Sequence, residues 1–263
     1  MPRHYLLDGA PCPEGRGALP LDDPGLTLGM AVFETLRTYG RRPFGVDTHL
    51  ARLGASARFC DIAWDDAIVA AVRSELSTVA AAIPGESKLN VLLTGGGHRI
   101  VKGEDLDLSR AGAPVRVATR AWAPSPWLPG RVKHTSRMAW VLAARHAGVD
   151  EVIWVAPDGV WTEANRSNVF VVRGGVLRTP PDDGRILQGV TRDAVIAAAH
   201  ALGMEVREEL VPAGPCEELY LCSTLKELAP VVEIDGYPGP GGGPVGAAVL
   251  AEFRRQAVVR AGR

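Results

Sequence analysis

The chain has 263 residues and a mass of 27.9 kDa, which is enough for one large domain or two modest domains that each bury a core. Hydrophobic residues make up 46% and charged residues 22% of the chain, a composition that excludes disordered and fibrous proteins. The formal net charge is −1, from 29 basic and 30 acidic side chains, so neither nucleic acid nor an anionic membrane is expected as a partner.

Cysteine spacing and hydropathy exclude two further classes. The four cysteines match neither a CxxC redox motif nor a zinc knuckle, so no metal site is predicted. The first residues lack the long apolar run of a signal peptide, and no segment approaches the roughly 18 apolar residues of a membrane span. We therefore expect a cytoplasmic globular protein.

The first 122 residues predict a mixed α/β domain. Runs of β-branched and aromatic residues between turn residues predict strands, and alanine-rich segments after a capping aspartate predict helices. The expected elements are, in chain order, strands at 5–7 and 31–38, helices at 48–59 capped by Asp47 and at 66–82 capped by Asp65, and strands at 88–94 and 115–119. The charged, glycine-containing segment 95–113 separates the last two strands.

Residues 123–130 predict an interdomain linker, because this segment has three prolines and a glycine in eight residues. It divides the chain into an N-terminal domain (1–122) and a C-terminal domain (131–263), both of the α/β (α+β) class. The elements expected after the linker are a strand at 132–135, a helix at 137–147, strands at 151–155, 169–172 and 176–178, a helix from Thr191 to Gly203, strands at 218–222 and 231–234, and a helix at 247–261. Gly174-Gly175 is expected to form a two-residue hairpin turn.

Three groups in this C-terminal half fit one cofactor. Lys133 lies between Val132 and an apolar helix, where its amine would be partly desolvated and nucleophilic. Glu163 supplies a carboxylate at a strand end. Gly189-Val190-Thr191 opens a helix and is an anion site by geometry and dipole. A reactive amine, a carboxylate and a phosphate site are the groups needed to hold pyridoxal phosphate.

The order and spacing of several motifs identify a family resemblance that extends from Asp22 to Asp235. The motifs are Gly29-Met30-Ala31-Val32-Phe33-Glu34-Thr35-Leu36-Arg37, His49-Leu50-Ala51-Arg52-Leu53, Val132-Lys133-His134, Thr162-Glu163-Ala164-Asn165-Arg166-Ser167-Asn168-Val169-Phe170, Gly189-Val190-Thr191-Arg192 and Ser223-Thr224. In this order they resemble the class IV aminotransferases, the fold-type IV pyridoxal-phosphate enzymes.

The resemblance implies a role for each matching residue. Lys133 corresponds to the lysine that forms the Schiff base with the cofactor and shuttles the substrate proton, and Glu163 to the acid that keeps the pyridine nitrogen protonated. The phosphate-binding positions correspond to Arg52, Val190, Thr191 and Thr224. The resemblance also implies two α/β domains, a cofactor cleft between them, and a homodimer. His49 is expected to pack beside Arg52 or orient it rather than to take part in the chemistry.

Substrate recognition is less defined by the sequence. The family often has an Arg-Gly pair after the strand at 88–94, and Gly95 stands in place of that arginine. The candidates to bind the substrate are therefore Arg37, His98, Arg99 and Arg137. The substrates themselves, and the preference for a D- or an L-amino acid, stay open.

The resemblance is compatible with three activities: branched-chain aminotransferase, D-amino-acid aminotransferase and aminodeoxychorismate lyase. Met138 and Asn90 depart from the tyrosine and arginine usual in branched-chain aminotransferases, whereas Lys133-His134-Thr135-Ser136-Arg137 resembles the corresponding run of many aminodeoxychorismate lyases. Our first expectation is an aminotransferase that moves the amino group of a small α-amino acid to a 2-oxo acid. The alternative is 4-amino-4-deoxychorismate lyase, and the third reading is a homologue that binds pyridoxal phosphate without turnover.

Overall fold

The computed structural model describes residues 3–261, which fold into two units, both built from helices and strands. The described part of the first unit comprises residues 3–108, Val132–Ser136 and 257–261, and the second unit comprises Ser109–Arg131 and Arg137–Gln256. The predicted mixed α/β class is confirmed. Whereas the sequence places the division at residues 123–130, the structure groups 109–131 with the second unit and Lys133 with the first.

The first unit contains a six-stranded sheet with the order β2-β1-β6-β5-β3-β4. Its strands are β1 Arg3–Leu7, β2 Ala10–Pro11, β3 Ala31–Tyr39, β4 Arg42–Pro43, β5 Ser87–Thr94 and β6 Arg99–Asp105, and its helices are α1 Pro24–Thr27, α2 Val46–Phe59 and α3 Asp66–Ala81. Strand β5 pairs antiparallel with both β3 and β6, and α2 and α3 cover one face of the sheet. Along β3, Val32 and Leu36 enter the core beneath these helices together with Leu53 of α2 and Leu76 of α3.

The second unit contains a ten-stranded sheet with the order β12-β11-β10-β14-β15-β7-β8-β9-β13, and β16 pairs with β15. Its strands are β7 Val115–Ala121, β8 Glu151–Val155, β9 Val160–Ala164, β10 Asn168–Arg173, β11 Val176–Thr179, β12 Val206–Glu208, β13 Val211–Pro212, β14 Glu218–Ser223, β15 Glu227–Ile234 and β16 Tyr237–Pro238. The helices after residue 130 are α4 Met138–Ala147, α5 Val190–Ala201 and α6 Pro244–Ala261. Nearly all residues of β9, β10 and β14 are buried, as expected for central strands.

The predicted N-cap residue is present at α3 but not at α2. The Asp65 side chain accepts a hydrogen bond from the Ile68 backbone N–H and caps α3 as predicted. The prediction that Asp47 caps α2 is wrong, because the helix begins at Val46 and its N-cap is Gly45 at φ +63°. The left-handed conformation at this position explains why a glycine precedes the helix.

Two strand predictions also need correction. The segment 95–113 contains β6, which the sequence analysis missed because the charged residues of Arg99–Asp105 alternate with few apolar residues. The strand predicted at 132–135 is reduced to an isolated bridge between Val32 and His134. The predicted hairpin turn at Gly174-Gly175 is present, with both glycines at positive φ.

Within residues 3–261, no helix is both long and apolar enough to cross a membrane.

Helix α2 approaches the indole ring of Trp64 closely at Gly54, where a Cβ would overlap the Trp64 ring. We expect Gly54→Ala to lower the free energy of unfolding by about 1–3 kcal/mol, because the ring would have to leave its packed position. Urea titration followed by circular dichroism measures this change. Gly85→Ala is the matched control, since a Cβ at Gly85 meets no atom within 4 Å, and an equal loss in both variants would contradict the packing argument.

Candidate active site

Lys133 is fixed by backbone hydrogen bonds within the first unit. Its carbonyl oxygen accepts a hydrogen bond from the Phe33 N–H (3.0 Å), and its own N–H donates to the Ser56 hydroxyl of α2 (3.0 Å). Two residues later, the Thr135 N–H donates to the Ala31 carbonyl (2.9 Å). The Lys133 side chain is half-buried, and its Nζ lies 4.8 Å from the centre of the Phe33 ring. Lys133 is therefore positioned by β3 and α2, on the side of β3 that carries Phe33.

Lysine is rare in this chain, which has four lysines among its 29 basic residues: Lys88, Lys102, Lys133 and Lys226. The other three form ion pairs, Lys88 and Lys102 with Glu104 and Lys226 with Glu151. Few lysine amines could therefore react with an aldehyde. The amine that lies over the Phe33 ring belongs to Lys133, the residue that the sequence predicts for this role.

Arg52 lies on α2, as predicted, and its guanidinium binds a carboxylate that the sequence analysis did not assign. Its Nε and Nη2 donate to the two carboxylate oxygens of Glu34 at 2.7 Å each. Glu34 is fully buried on β3, and the Nδ1 of buried His49 lies 2.7 Å from the same carboxylate. Since a carboxylate only accepts hydrogen bonds, His49 donates through Nδ1. The bidentate geometry fixes the orientation of the arginine.

Burial and the neighbouring charges shift the pKa values of Glu34 and His49 in this cluster. Burial alone would raise the pKa of Glu34, but the charge and hydrogen bonds of Arg52, with help from His49, hold it well below its usual range. Burial lowers the pKa of His49, partly opposed by Glu34. Glu34 is therefore an anion and Arg52 its permanent counter-charge at neutral pH.

In the second unit, two side chains hold the backbone that leads into α5. Glu163, at the end of β9, accepts a hydrogen bond from the Leu187 N–H through Oε2 (2.9 Å). Asn168, which is paired with Glu163 across the sheet, donates through Nδ2 to the Leu187 carbonyl (2.8 Å). Both side chains are at most 8% exposed. The carboxylate of Glu163 is thus held in a fixed position close to the start of α5.

The N-terminus of α5 has the geometry of an anion site. The helix runs from Val190 to Ala201, and its N-cap is Gly189, which has no capping side chain. Thr191 is therefore inside the first turn, rather than at the helix start where the sequence places it. A Cβ at Gly189 would collide with the Asn168 amide oxygen, so only glycine fits this close approach. The first-turn N–H groups of such a helix bind anions well.

Thr224 begins the tight turn between β14 and β15 and is half-buried. This turn is tied to the loop that follows Glu163 by Glu151, which is fully buried. The Glu151 Oε1 accepts hydrogen bonds from the Ser167 hydroxyl (2.8 Å) and pairs with the Lys226 ammonium (2.5 Å). One buried carboxylate thus connects the turns that present Glu163 and Thr224.

The structure gives the four predicted substrate residues different surroundings. His98 pairs with Asp8 (2.8 Å), and Arg99 binds Glu75 of α3 through Nη2 (2.9 Å). Arg37 is buried on β3, with its guanidinium 4.2 Å from the centre of the Tyr39 ring. Arg137 precedes α4 in the second unit, and burial lowers the pKa of its guanidinium, with a smaller effect from Arg166.

Three residues of the site were missed by sequence reasoning: Glu34, Asn168 and Glu151. Glu34 carried a signal, because a charged residue with the strand parity of Val32 and Leu36 has to face the core and therefore needs a cationic partner. Asn168 and Glu151 carried no such signal. The groups that they bind are distant along the chain and become their neighbours only in the folded sheet.

Glu34→Gln keeps the size of the side chain but removes the charge opposite Arg52, and we expect it to lower the free energy of unfolding at pH 7 by about 3 kcal/mol. The pKa of Glu34 is depressed by folding, so its stabilising effect is complete above the unfolded value of about 4.3 and declines as the pH falls towards the folded value. The difference between wild type and variant should therefore shrink in urea titrations at about pH 3.5.

Glu205→Gln is the matched control for this comparison, because Glu205 forms an exposed pair with Arg207. We expect little change at either pH for the control. A Glu34→Gln deficit that is absent, or equally large at both pH values, would show that the buried ion pair does not stabilise the fold as described.

Comparisons with known proteins show what this chain is similar to. The family model described as amino-transferase class IV matches residues 31–234. The Thermotoga maritima protein named "Probable branched-chain-amino-acid aminotransferase" is 32% identical over 237 residues, covering 85% of each chain. The structure of a fold IV-transaminase from Curtobacterium pusillum is 27% identical with a TM-score of 0.86, covering 96% of this chain and 99% of that one.

A second solved structure bears on the cofactor. A hypothetical aminotransferase from Mycobacterium tuberculosis in a PLP-bound form is 27% identical with a TM-score of 0.86, and the match covers 98% of this chain and 99% of that chain. The predicted fold-type IV architecture is confirmed by these likenesses. Because the family model matches most of the chain, this protein belongs to the class IV aminotransferases, which are enzymes that depend on pyridoxal phosphate.

Proposed function

We propose that this enzyme transfers the amino group of a small α-amino acid to a 2-oxo acid, with Lys133 as the residue that attaches pyridoxal phosphate. The observation that carries the proposal is the position of Lys133 Nζ over the Phe33 ring, on backbone that is hydrogen-bonded at three points to β3 and α2. An amine on an aromatic face is partly desolvated and oriented, as a nucleophile needs to be.

The donor groups present fit the cofactor. Its phosphate is a dianion that requires N–H donors, hydroxyls and a cation, and the first turn of α5 supplies the N–H groups of Val190 and Thr191. The hydroxyls of Thr191 and Thr224 and the guanidinium of Arg52 complete the proposed set. Gly189 allows the Asn168 side chain to pack directly against the start of α5.

Pyridoxal phosphate supplies an electron-accepting ring that stabilises negative charge at the substrate Cα. In the proposed mechanism Glu163 keeps the pyridine nitrogen protonated, and its hydrogen bond from Leu187 holds the carboxylate in place for this purpose. Lys133 Nζ would hold and move the proton of the substrate Cα, first as a general base and then as a general acid. The centre of the Phe33 ring lies 4.8 Å from this amine.

We further propose that the active form is a homodimer, as the resemblance implies. The first unit exposes a run of large apolar side chains before β3, with Leu21 at 85%, Leu28 at 70% and Leu26 at 60% exposure. Apolar residues clustered in this way support an interface with a second copy of the chain.

The activity is tested by incubating the holoenzyme with D-alanine or L-leucine and 2-oxoglutarate, and separately with 4-amino-4-deoxychorismate. We expect glutamate to form in the first assay, in wild type but not in Lys133→Ala, because amino transfer needs both the attachment amine and the base. Release of 4-aminobenzoate without an amino acceptor would instead identify the lyase. Bound pyridoxal phosphate with no product in either assay would identify the non-catalytic homologue.

The attachment site is checked independently of activity. After addition of pyridoxal phosphate and reduction with borohydride, mass spectrometry of the digested protein should find the pyridoxyl group on the peptide with Lys133. A label on Lys88, Lys102 or Lys226 in its place would refute the assignment.

Glu163→Gln retains an oxygen for the Leu187 N–H but loses the negative charge. We expect kcat to fall roughly 100-fold, because the ring nitrogen loses the counter-charge that keeps it protonated. Binding of pyridoxal phosphate, followed by its visible absorbance, should change much less. Glu205→Gln, on the surface, is the control, and a variant that loses cofactor binding in parallel with kcat would contradict this role.

A further inference from the structure

The turn between β14 and β15 is followed at once by a residue with a strained backbone. Ser223 is paired with Glu227 across the two strands, so that Thr224, Leu225 and Lys226 form the loop between them. Glu227 has a φ of +59°, in the left-handed region. Hairpin loops of three residues commonly include such a residue at their end, and glycine suits it best because a Cβ adds strain there. The chain therefore has a glutamate where a glycine would be less strained.

Burial distinguishes Glu227 from the other non-glycine residues at positive φ that the structure describes. Those residues are exposed: Asp8, Arg41, Asp61 and Asp235. The Glu227 side chain, in contrast, is 2% exposed. Strained residues of this kind persist only where the surrounding structure holds them, and they are frequent at functional sites. The contacts of the Glu227 side chain therefore bear on why the strain is retained.

Arg254 of α6 binds this buried carboxylate. Its Nε donates to the Glu227 Oε2 at 2.6 Å, and its Nη2 donates to the Ala111 carbonyl oxygen at 3.1 Å. A charge-assisted hydrogen bond of this length is among the strong ones. A glycine at position 227 would relieve the strain but would lose this bond. The side chain that strains the backbone is thus the one that ties the turn to α6.

The preceding residue of the turn is also anchored. The Lys226 carbonyl oxygen accepts a hydrogen bond from the Gly112 N–H (2.8 Å), and the Lys226 ammonium pairs with Glu151. Positions 226 and 227 are therefore both fixed from outside the hairpin. Thr224 lies two residues before the first of these anchors, so the position of its hydroxyl depends on them.

We propose that Glu227, held by Arg254, is a positioning residue that keeps the turn in the conformation in which the Thr224 hydroxyl binds the cofactor phosphate. The inference rests on the proposed phosphate-binding role of Thr224. An anionic side chain would repel the phosphate dianion, so Glu227 acts through the turn rather than by direct contact. A relaxed turn would misplace one hydroxyl and leave the donors of α5 unchanged. The loss should therefore be partial and confined to the phosphate.

The test compares pyridoxal phosphate with pyridoxal, which lacks the phosphate, by titration of the full-length protein followed by visible absorbance. We expect Glu227→Gly and Arg254→Met each to lower the ratio of the dissociation constant for pyridoxal to that for pyridoxal phosphate about tenfold, as for the loss of one hydrogen bond to a charged group. The double variant should lose no more than either single variant, because both changes remove the same contact.

Two matched controls should keep the wild-type ratio. Arg41→Gly removes an exposed side chain at a φ of +65° in the turn between β3 and β4, and Arg255→Met removes the neighbouring positive charge of α6, which pairs with Glu252. A ratio that is unchanged in Glu227→Gly and Arg254→Met would overturn the proposal. Equal weakening of both ligands would also overturn it, since a purely structural residue acts on both alike.

Thr224→Val, measured in the same way, separates this inference from the proposed function. We expect it to lower the ratio by a similar factor. If it does and the Glu227 and Arg254 variants do not, Thr224 binds the phosphate and the positioning role is refuted. If no amino acid reacts but all three variants lower the ratio, the proposed amino transfer fails and the positioning role stands.

Discussion

The backbone pairing between residues 132–136 and β3 is the constraint on which the rest of the proposed site depends. The hydrogen bonds of Lys133 and Thr135 to Phe33 and Ala31, together with the bond from the Lys133 N–H to Ser56, fix the backbone that carries the amine, since this segment forms only an isolated bridge. The pairing also places Lys133 in the unit of the N-terminal sheet. A residue predicted to belong to the C-terminal half is thus presented by the first unit.

Strand β3 consequently serves two sites at once. Its core face carries Glu34, which fixes Arg52 and His49, and its opposite face carries Phe33, which contacts Lys133. Adjacent residues of one strand therefore define the geometry of the proposed phosphate cation and of the proposed attachment amine. A shift of β3 by one residue would exchange the two faces and destroy both arrangements.

Local signals in the sequence predicted most elements but not their tertiary partners. The Asp65 cap and the Gly174-Gly175 turn depend on a few consecutive residues, and both were predicted correctly. Strand β6 was missed because it is rich in charged residues, and its Glu104 pairs across the sheet with Lys88 and Arg3, which are distant in the sequence. The assigned roles of Lys133 and Glu163 came from the family resemblance, whereas the contacts that hold them required the structure.

The scarcity of lysine has a consequence for how the protein tolerates its own cofactor. A free aldehyde reacts with amines but not with guanidinium groups that stay protonated, so a surface whose positive charge is almost entirely arginine offers few places for stray adducts. The three lysines other than Lys133 are each held against a carboxylate, which favours their protonated, unreactive form. The composition thus leaves few lysine amines besides Lys133 with which the aldehyde could react.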